Sequence, residues 1–243
     1  MGLKLFILII LLLTIFFLPV VVSAQGLSST DIYNAFKYRM HPDPIFFDDA
    51  TIYQLINMAS EIASVDGFAY PKIDTLVLAT NTTDYGLKKL AIWVYKVGKI
   101  SEGERSWQNI ALEDFGKEGL SEVSYPAYWD FVTIMEGVST VFNASKDTSY
   151  IYIYPKPTAS DNGDSIAVHY FAFADTISGN LRSDYREAVL DLALMLGYLR
   201  KGRSDMAVMM WNEGATNISL LRNAWLNKLF NIEVVPKVIG EGK

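Results

Sequence analysis

The longest apolar run in the chain lies at its start. Leu5–Leu18 is hydrophobic at every position except Thr14, follows a single positive charge at Lys4, and is closed by Pro19. Val22-Ser23-Ala24 then places small or modest side chains where a signal peptidase reads. This layout predicts a secretory signal over residues 1–24, cut after Ala24, so that the mature chain starts at Gln25. An uncleaved anchor is the alternative, because Leu5–Val22 just passes the roughly 17-residue minimum for spanning a bilayer. Pro19 and the Val-Ser-Ala exit favour cleavage, and no cysteine follows to carry a lipid.

Beyond the signal the period changes from helix to strand and back. Ser28, Ser29 or Thr30 can cap a helix over Asp31–Met40, with Ile32, Ala35, Phe36 and Met40 on one side, and His41-Pro42-Asp43-Pro44 stops it. A second helix is expected to start near Asp48 or Asp49. Ile52, Leu55, Ile56, Ala59, Ile62 and Ala63 form its apolar stripe, and Asp66-Gly67 ends it. Thr75–Thr80 and Ala91–Val97 have strand character, with a turn at Asn81–Asp84 and a break at Gly98. Trp107–Phe115 and Tyr125–Phe131 suggest short helices or loops beside the sheet, and Ile134–Phe142 a further strand. Ser149–Tyr154 alternates cleanly, stops at Pro155-Lys156-Pro157, and is expected to pair with Ser165–Phe173 through the turn at Ser160–Asp164. Asp184 opens a helix to about Leu199, with Ala188, Val189, Leu192, Leu196 and Leu199 inward. After Lys201-Gly202 a long helix runs from Asp205 to about Phe230, bent near Gly214, with a polar outer face. The fold class expected is α+β, with N-terminal helices, a central antiparallel β-sheet or hairpin, and a C-terminal helical pair flanking it. Residues 25–235 are expected to form a single domain and 236–243 a tail.

Charge and composition narrow the function. Loss of Lys4 with the signal takes the 21 basic residues to 20 against 27 acidic, a net charge of −7. An acidic surface of this kind argues against a tight grip on duplex phosphates. Cysteine is absent, which removes disulfides, thiolate chemistry and Cys-ligated zinc. With 5 Trp, 14 Tyr and 13 Phe, the chain has the material for a core without covalent staples. No segment after the signal is long and apolar enough to span a membrane. The triplets at Asn81, Asn143 and Asn217 match the glycan acceptor pattern, which is too frequent by chance to carry weight.

Catalytic chemistry finds little to stand on, and no catalytic, cofactor-binding or metal residue is assigned. The two histidines, His41 and His169, lack ligand-type spacing. Asp48-Asp49, with Asp43 nearby, reads more readily as a helix start than as a calcium or proton-sharing pair. Asp161-Asn162-Gly163-Asp164 lacks the later glutamate of an EF-hand, and Ser183-Asp184 and Ser204-Asp205 are helix starts. No phosphate cradle and no Gly-x-Ser-x-Gly occurs. A retaining glycosidase needs only two carboxylates about 5 Å apart, and that hypothesis has no motif behind it. Tyr150, Tyr152 and Tyr154 on one strand face are candidates for a carbohydrate platform, although alternating tyrosines more often line a packed sheet.

One family does share an ordered set of motifs with the chain. Asp43-Pro44-Ile45-Phe46-Phe47-Asp48-Asp49-Ala50-Thr51-Ile52, running into Gln54–Ala63, is followed by Thr83-Asp84-Tyr85-Gly86-Leu87 ahead of Ala91–Val97. Tyr152-Ile153-Tyr154-Pro155-Lys156-Pro157, Ser165–Phe173, Tyr185–Ala193 and the helix break in Tyr198–Ala207 complete the series. In this order the chain resembles the head–tail adaptor (connector) proteins of tailed phages, from about Ser28 to Trp211. The resemblance implies a structural, non-enzymatic subunit without cofactor: part of a twelve-fold ring that joins portal to tail and lets DNA pass. A negative lumen would let DNA slide without gripping it. The implied partners are further copies of the chain and a portal-like protein. The export signal departs from that family, whose members assemble in the cytoplasm. The expectation is therefore reuse of the fold by an exported, periplasmic or extracellular, ring-forming or partner-docking subunit, with a virion location if the phage role holds. The alternative is an exported ligand- or carbohydrate-binding module.

Overall fold

The computed structural model describes residues 27–41, 46–103, 105–115, 125–134, 147–174 and 181–230. Residues 1–26, which include the expected signal, residues 42–45 of the resemblance, residues 135–142 of the strand expected over Ile134–Phe142, and residues 231–243, which include the expected tail, lie outside these residues. Within them the fold is α+β, with four α-helices and two four-stranded sheets.

Helix α1 (Ser29–Met40) starts where the Ser28 hydroxyl accepts the Asp31 N–H at 3.4 Å, and it buries Ile32, Phe36 and Met40. Helix α2 (Asp49–Gly67) is capped by Asp48, whose carboxylate accepts the Thr51 N–H at 2.8 Å. Its expected stripe is buried, apart from half-exposed Ile62. The first turn of the C-terminal pair is a 3-10 turn, Ser183–Tyr185; helix α3 (Arg186–Arg200) follows, then α4 (Ser204–Phe230), unbroken through Gly214. A Cβ at Gly214 would sit 3.2 Å from Leu192, so close helix packing accounts for that glycine.

The helices do not flank the sheet in two groups. They pack together as one layer, with α1 and α4 on either side of the α2–α3 pair. The reason lies in α3, where every residue from Ala188 to Met195 is buried. A helix apolar nearly all round needs helices around it, because one sheet face would cover only one side. Leu199, expected inward, is 53% exposed beyond that buried stretch.

The strands are β1 (Pro71–Val77), β2 (Asp84–Gly86), β3 (Ala91–Lys99), β4 (Arg105–Ser106), β5 (Gln108–Asn109), β6 (Tyr128–Ile134), β7 (Thr148–Tyr154) and β8 (Ser165–Ala172). They form two sheets, in the orders β1-β8-β3-β4 and β2-β7-β6-β5. The connections β1–β2, β2–β3, β4–β5 and β7–β8 each cross from one sheet to the other. At one edge Trp107 makes the crossing: its N–H donates to Val97 at 2.7 Å, and its carbonyl accepts the Trp129 indole N–H at 3.1 Å. The facing surfaces share one core, which contains Val94, Val97, Trp129, Ile151, Ile153, Ile166, Val168 and Tyr170. Ser149 Oγ accepts the Ala91 N–H at 2.8 Å, and Thr133 Oγ1 donates to the Ala91 carbonyl at 3.1 Å, tying sheet to sheet.

Several expectations are corrected here. β7 and β8 are not a hairpin: β7 pairs with β2 and β6, and β8 with β1 and β3. Their connection runs through a cis Tyr154–Pro155 bond and a second proline, too long for a tight two-residue turn. It arches between sheets and sets Ile151 and Ile153 in the same core as Ile166 and Val168. Tyr128–Ile134, within and beyond the segment expected as helix or loop, is a central strand with Trp129 buried. Trp107–Phe115 holds the short strand β5 and a 3-10 turn at Leu112–Asp114. The first strand starts four residues earlier than expected and ends three earlier, Gly98 sits inside β3, and the β5–β6 pair is parallel.

The chain leaves the helical layer at Gly67 and rejoins it at Tyr185. The Tyr185 hydroxyl donates to the Gly67 carbonyl, and its ring lies so close that a Cβ on Gly67 would fall 2.7 Å from it. Burial pushes the Tyr185 phenol up to about 12, keeping it a donor. Beside it the Arg182 N–H donates to Ala69 at 3.1 Å and the Ala174 N–H to Ser64 Oγ at 3.2 Å. We expect Gly67→Ala to cost about 1–3 kcal/mol through the clash. Tyr185→Phe should cost a similar ~1–3 kcal/mol through the stranded carbonyl. Urea unfolding of each variant checks both, with Gly86→Ala as control, since its Cβ meets nothing closer than 3.7 Å.

Candidate functional site

The two flanks of the helical layer carry apolar side chains that the fold leaves in solvent. On α4, Val208, Met209, Trp211 and Leu220 are exposed, Leu220 by 63%. On α1, Tyr38 is 78% exposed, and Phe46 follows just beyond the helix. The expected polar outer face of α4 is thus corrected to a mixed one. Val208-Met209-Met210-Trp211 is four consecutive apolar residues, and a helix buries only about half of such a run on one side. Here Met210 takes the buried position. Exposed apolar groups gathered on one helix mark contact surfaces.

Alongside α4 lies a groove of about 110 Å³. Ile62 of α2 and Trp211, Ala215 and Ile218 of α4 form its walls over Leu192 of α3. Asp66 and Arg222 also line it, and the Arg222 guanidinium donates to the Asp66 carbonyl at 3.2 Å.

An ionic network holds the flanks in place. Asp191 of α3, almost fully buried, accepts from Arg39 of α1 and from the Asn217 amide of α4, each at 3.4 Å. Arg39 also reaches Glu187 at 2.9 Å. Burial raises the Asp191 carboxyl above the ordinary range, with Arg39 opposing.

The residues weighed for chemistry fall on separate elements. His41 ends α1 in the left-handed region (φ 42°), while His169 lies on β8 with its ring 5.9 Å from that of Tyr95. Asp48 is the α2 cap, and the Thr51 hydrogen bonds lower its carboxyl. Asp49 accepts from the Tyr33 hydroxyl. Asp43 lies outside the described residues. In the Asp161–Asp164 turn, Asp161 accepts the Thr158 N–H at 2.9 Å and Asn162 accepts the Thr80 N–H at 3.2 Å. Asp184 pairs with Arg182 and Asp205 with Arg203. Among the described residues no group of three or more side chains is arranged to hold a metal ion. No helix among them is long and apolar enough to cross a membrane.

The tyrosine row lies on the outer face of its sheet, half-buried. Tyr150 lies over the bare backbone of Gly86, and Tyr154 packs on Phe115 at 5.3 Å. Two of the three rings are therefore engaged in covering the sheet.

No family model matches the chain, and no curated protein matches it.

The Asp191 network gives the flanks a pH signature. A carboxyl raised by folding binds its proton more tightly in the native state, so it costs stability as pH rises through its titration and returns it as pH falls. Wild-type stability relative to Asp191→Asn should therefore increase between pH 7 and pH 4. Thermal melts of both proteins across that range check the sign, and the opposite slope would mean that the Arg39 pair outweighs burial.

Proposed function

We propose that the chain is a non-enzymatic assembly subunit of the connector kind, which joins further copies of itself into a ring and presents that ring to a protein partner in an exported setting. The observation that carries this is the apolar exposure on α1 and α4, the two helices on opposite sides of the α2–α3 pair. The exposed apolar side chains of α4 and the exposed Tyr38 of α1 lie on different surfaces, and two different surfaces suit a head-to-tail contact. Such contacts close into rings when the rotation permits. The ordered motifs shared with phage connectors support the same role, and the long α4 supplies a continuous contact surface.

Light scattering on a size-exclusion column tests this, using residues 25–243. The expected result is a discrete oligomer well above the monomer mass. Val208→Asp, which places a charge on an already exposed position, should reduce it to monomer with an unchanged circular dichroism spectrum. A wild-type monomer at about 10 μM that stays monomeric on concentration would count against self-assembly.

A further inference from the structure

The end of the sandwich remote from the helices holds a polar pocket of about 270 Å³. It lies where β1 and β3 finish and β8 begins, lined by Leu78, Lys99, Glu102, Trp107, Tyr125 and Asp161 with Pro126 beside them. The size sits at the lower edge of the ~300–1,000 Å³ typical of small-molecule sites.

Its charges restrict what can enter. Lys99 pairs with Asp164 at 2.6 Å and stands 4.0 Å from Glu102. Asp164 and then Glu102 hold the Lys99 ammonium charged, raising it above its ordinary value. Asp164 offsets the Lys99 ammonium, and Glu102 and Asp161 then leave the lining net negative, which disfavours an anionic ligand. A neutral ligand with many hydroxyls avoids that penalty and can use both the carboxylate acceptors and the ammonium donor. Glu102 is half exposed and lies at ion-pair rather than hydrogen-bond distance from Lys99, so its oxygens can accept from hydroxyls. Trp107 and Tyr125 supply the complementary feature, aromatic surface against which an apolar C–H face can lie.

We propose that this pocket binds a neutral monosaccharide, with Glu102 and Lys99 bonding its hydroxyls and Trp107 and Tyr125 covering its apolar face. The site belongs to the sandwich and does not depend on the assembly role of the helices. Asp161 is a positioning residue there, since Thr158 Oγ1 donates to it at 2.7 Å and fixes the rim.

Ligand-observed NMR tests the proposal on the chain freed of its first 24 residues, all of which precede the described fold. The probes are D-glucose, D-galactose and N-acetyl-D-glucosamine, with choline and glutamate as charged competitors. At least one sugar should bind saturably, with a Kd in the millimolar range or tighter. Glu102→Ala, a half-exposed side chain whose loss leaves the core intact, should weaken it about tenfold through the lost charged acceptor. Tyr125→Ala, also at an exposed position, should weaken it as well. Absence of binding by all three sugars at about 50 mM, equal affinity in Glu102→Ala, or displacement by choline or glutamate would each overturn it. Because these variants lie far from α1 and α4, oligomer mass reports separately on the assembly role.

Discussion

The contact between Tyr185 and Gly67 is the constraint on which the rest of the structure depends. The first two helices and the last two are separated by the whole sandwich, yet they share one core. Sharing it requires the chain to return to the point from which it left. Closing a long loop costs entropy that grows only slowly with length, so the closure can be held by a few well-made contacts. Here they are the Tyr185 hydroxyl on the Gly67 carbonyl, its ring against the glycine Cα, and the Arg182–Ala69 and Ala174–Ser64 hydrogen bonds beside them. With the return point fixed, α3 packs against α2 and α4 and is buried from Ala188 to Met195. The sandwich then stands on the layer as an inserted unit, its near end at Tyr70 and Ala172 and its far end at Leu78 and Lys99.

The helices were legible because their information is local. Ser28 and Asp48 cap where short polar side chains before a periodic stripe should cap, and Ile52, Ile56, Ala59 and Ala63 bury as their spacing demands. Alternation in β7 was legible for the same reason. Partner choice was not, because it is settled by residues distant in sequence. The arch from β7 to β8 looks like a hairpin until both faces must be covered at once. Tyr128–Ile134 was obscured by Pro126 and by an aromatic mixture that suits a loop as well as a strand. The apolar excess in Val208–Trp211 was visible in the sequence and its meaning was not, since exposure on a helix is known only once the neighbouring helices are placed. The polar pocket draws on residues from 78 to 161, and no spacing in the sequence brings those together.

The two poles of the molecule thus offer different surfaces. On the proposed assembly role, the helical flanks meet other copies while the Asp191 network keeps α1, α3 and α4 in register. The sandwich, closed by chain crossings at both edges, is left to project from the layer. On the proposed assembly role the expected export signal and the connector-like order of motifs are compatible, because ring formation by the helical flanks does not depend on the compartment in which it takes place.

The absence of cysteine makes one measurement direct. Tyr38→Cys and Met209→Cys would be prepared separately, mixed, and treated with a short bis-maleimide. Head-to-tail assembly predicts cross-links between the two different variants, Tyr38→Cys of one copy to Met209→Cys of the next, with little coupling within either variant alone. Coupling confined to like positions would instead define a two-fold contact, and no coupling at all at concentrations where the protein is oligomeric would remove both flanks from the interface. Either result would contradict the account.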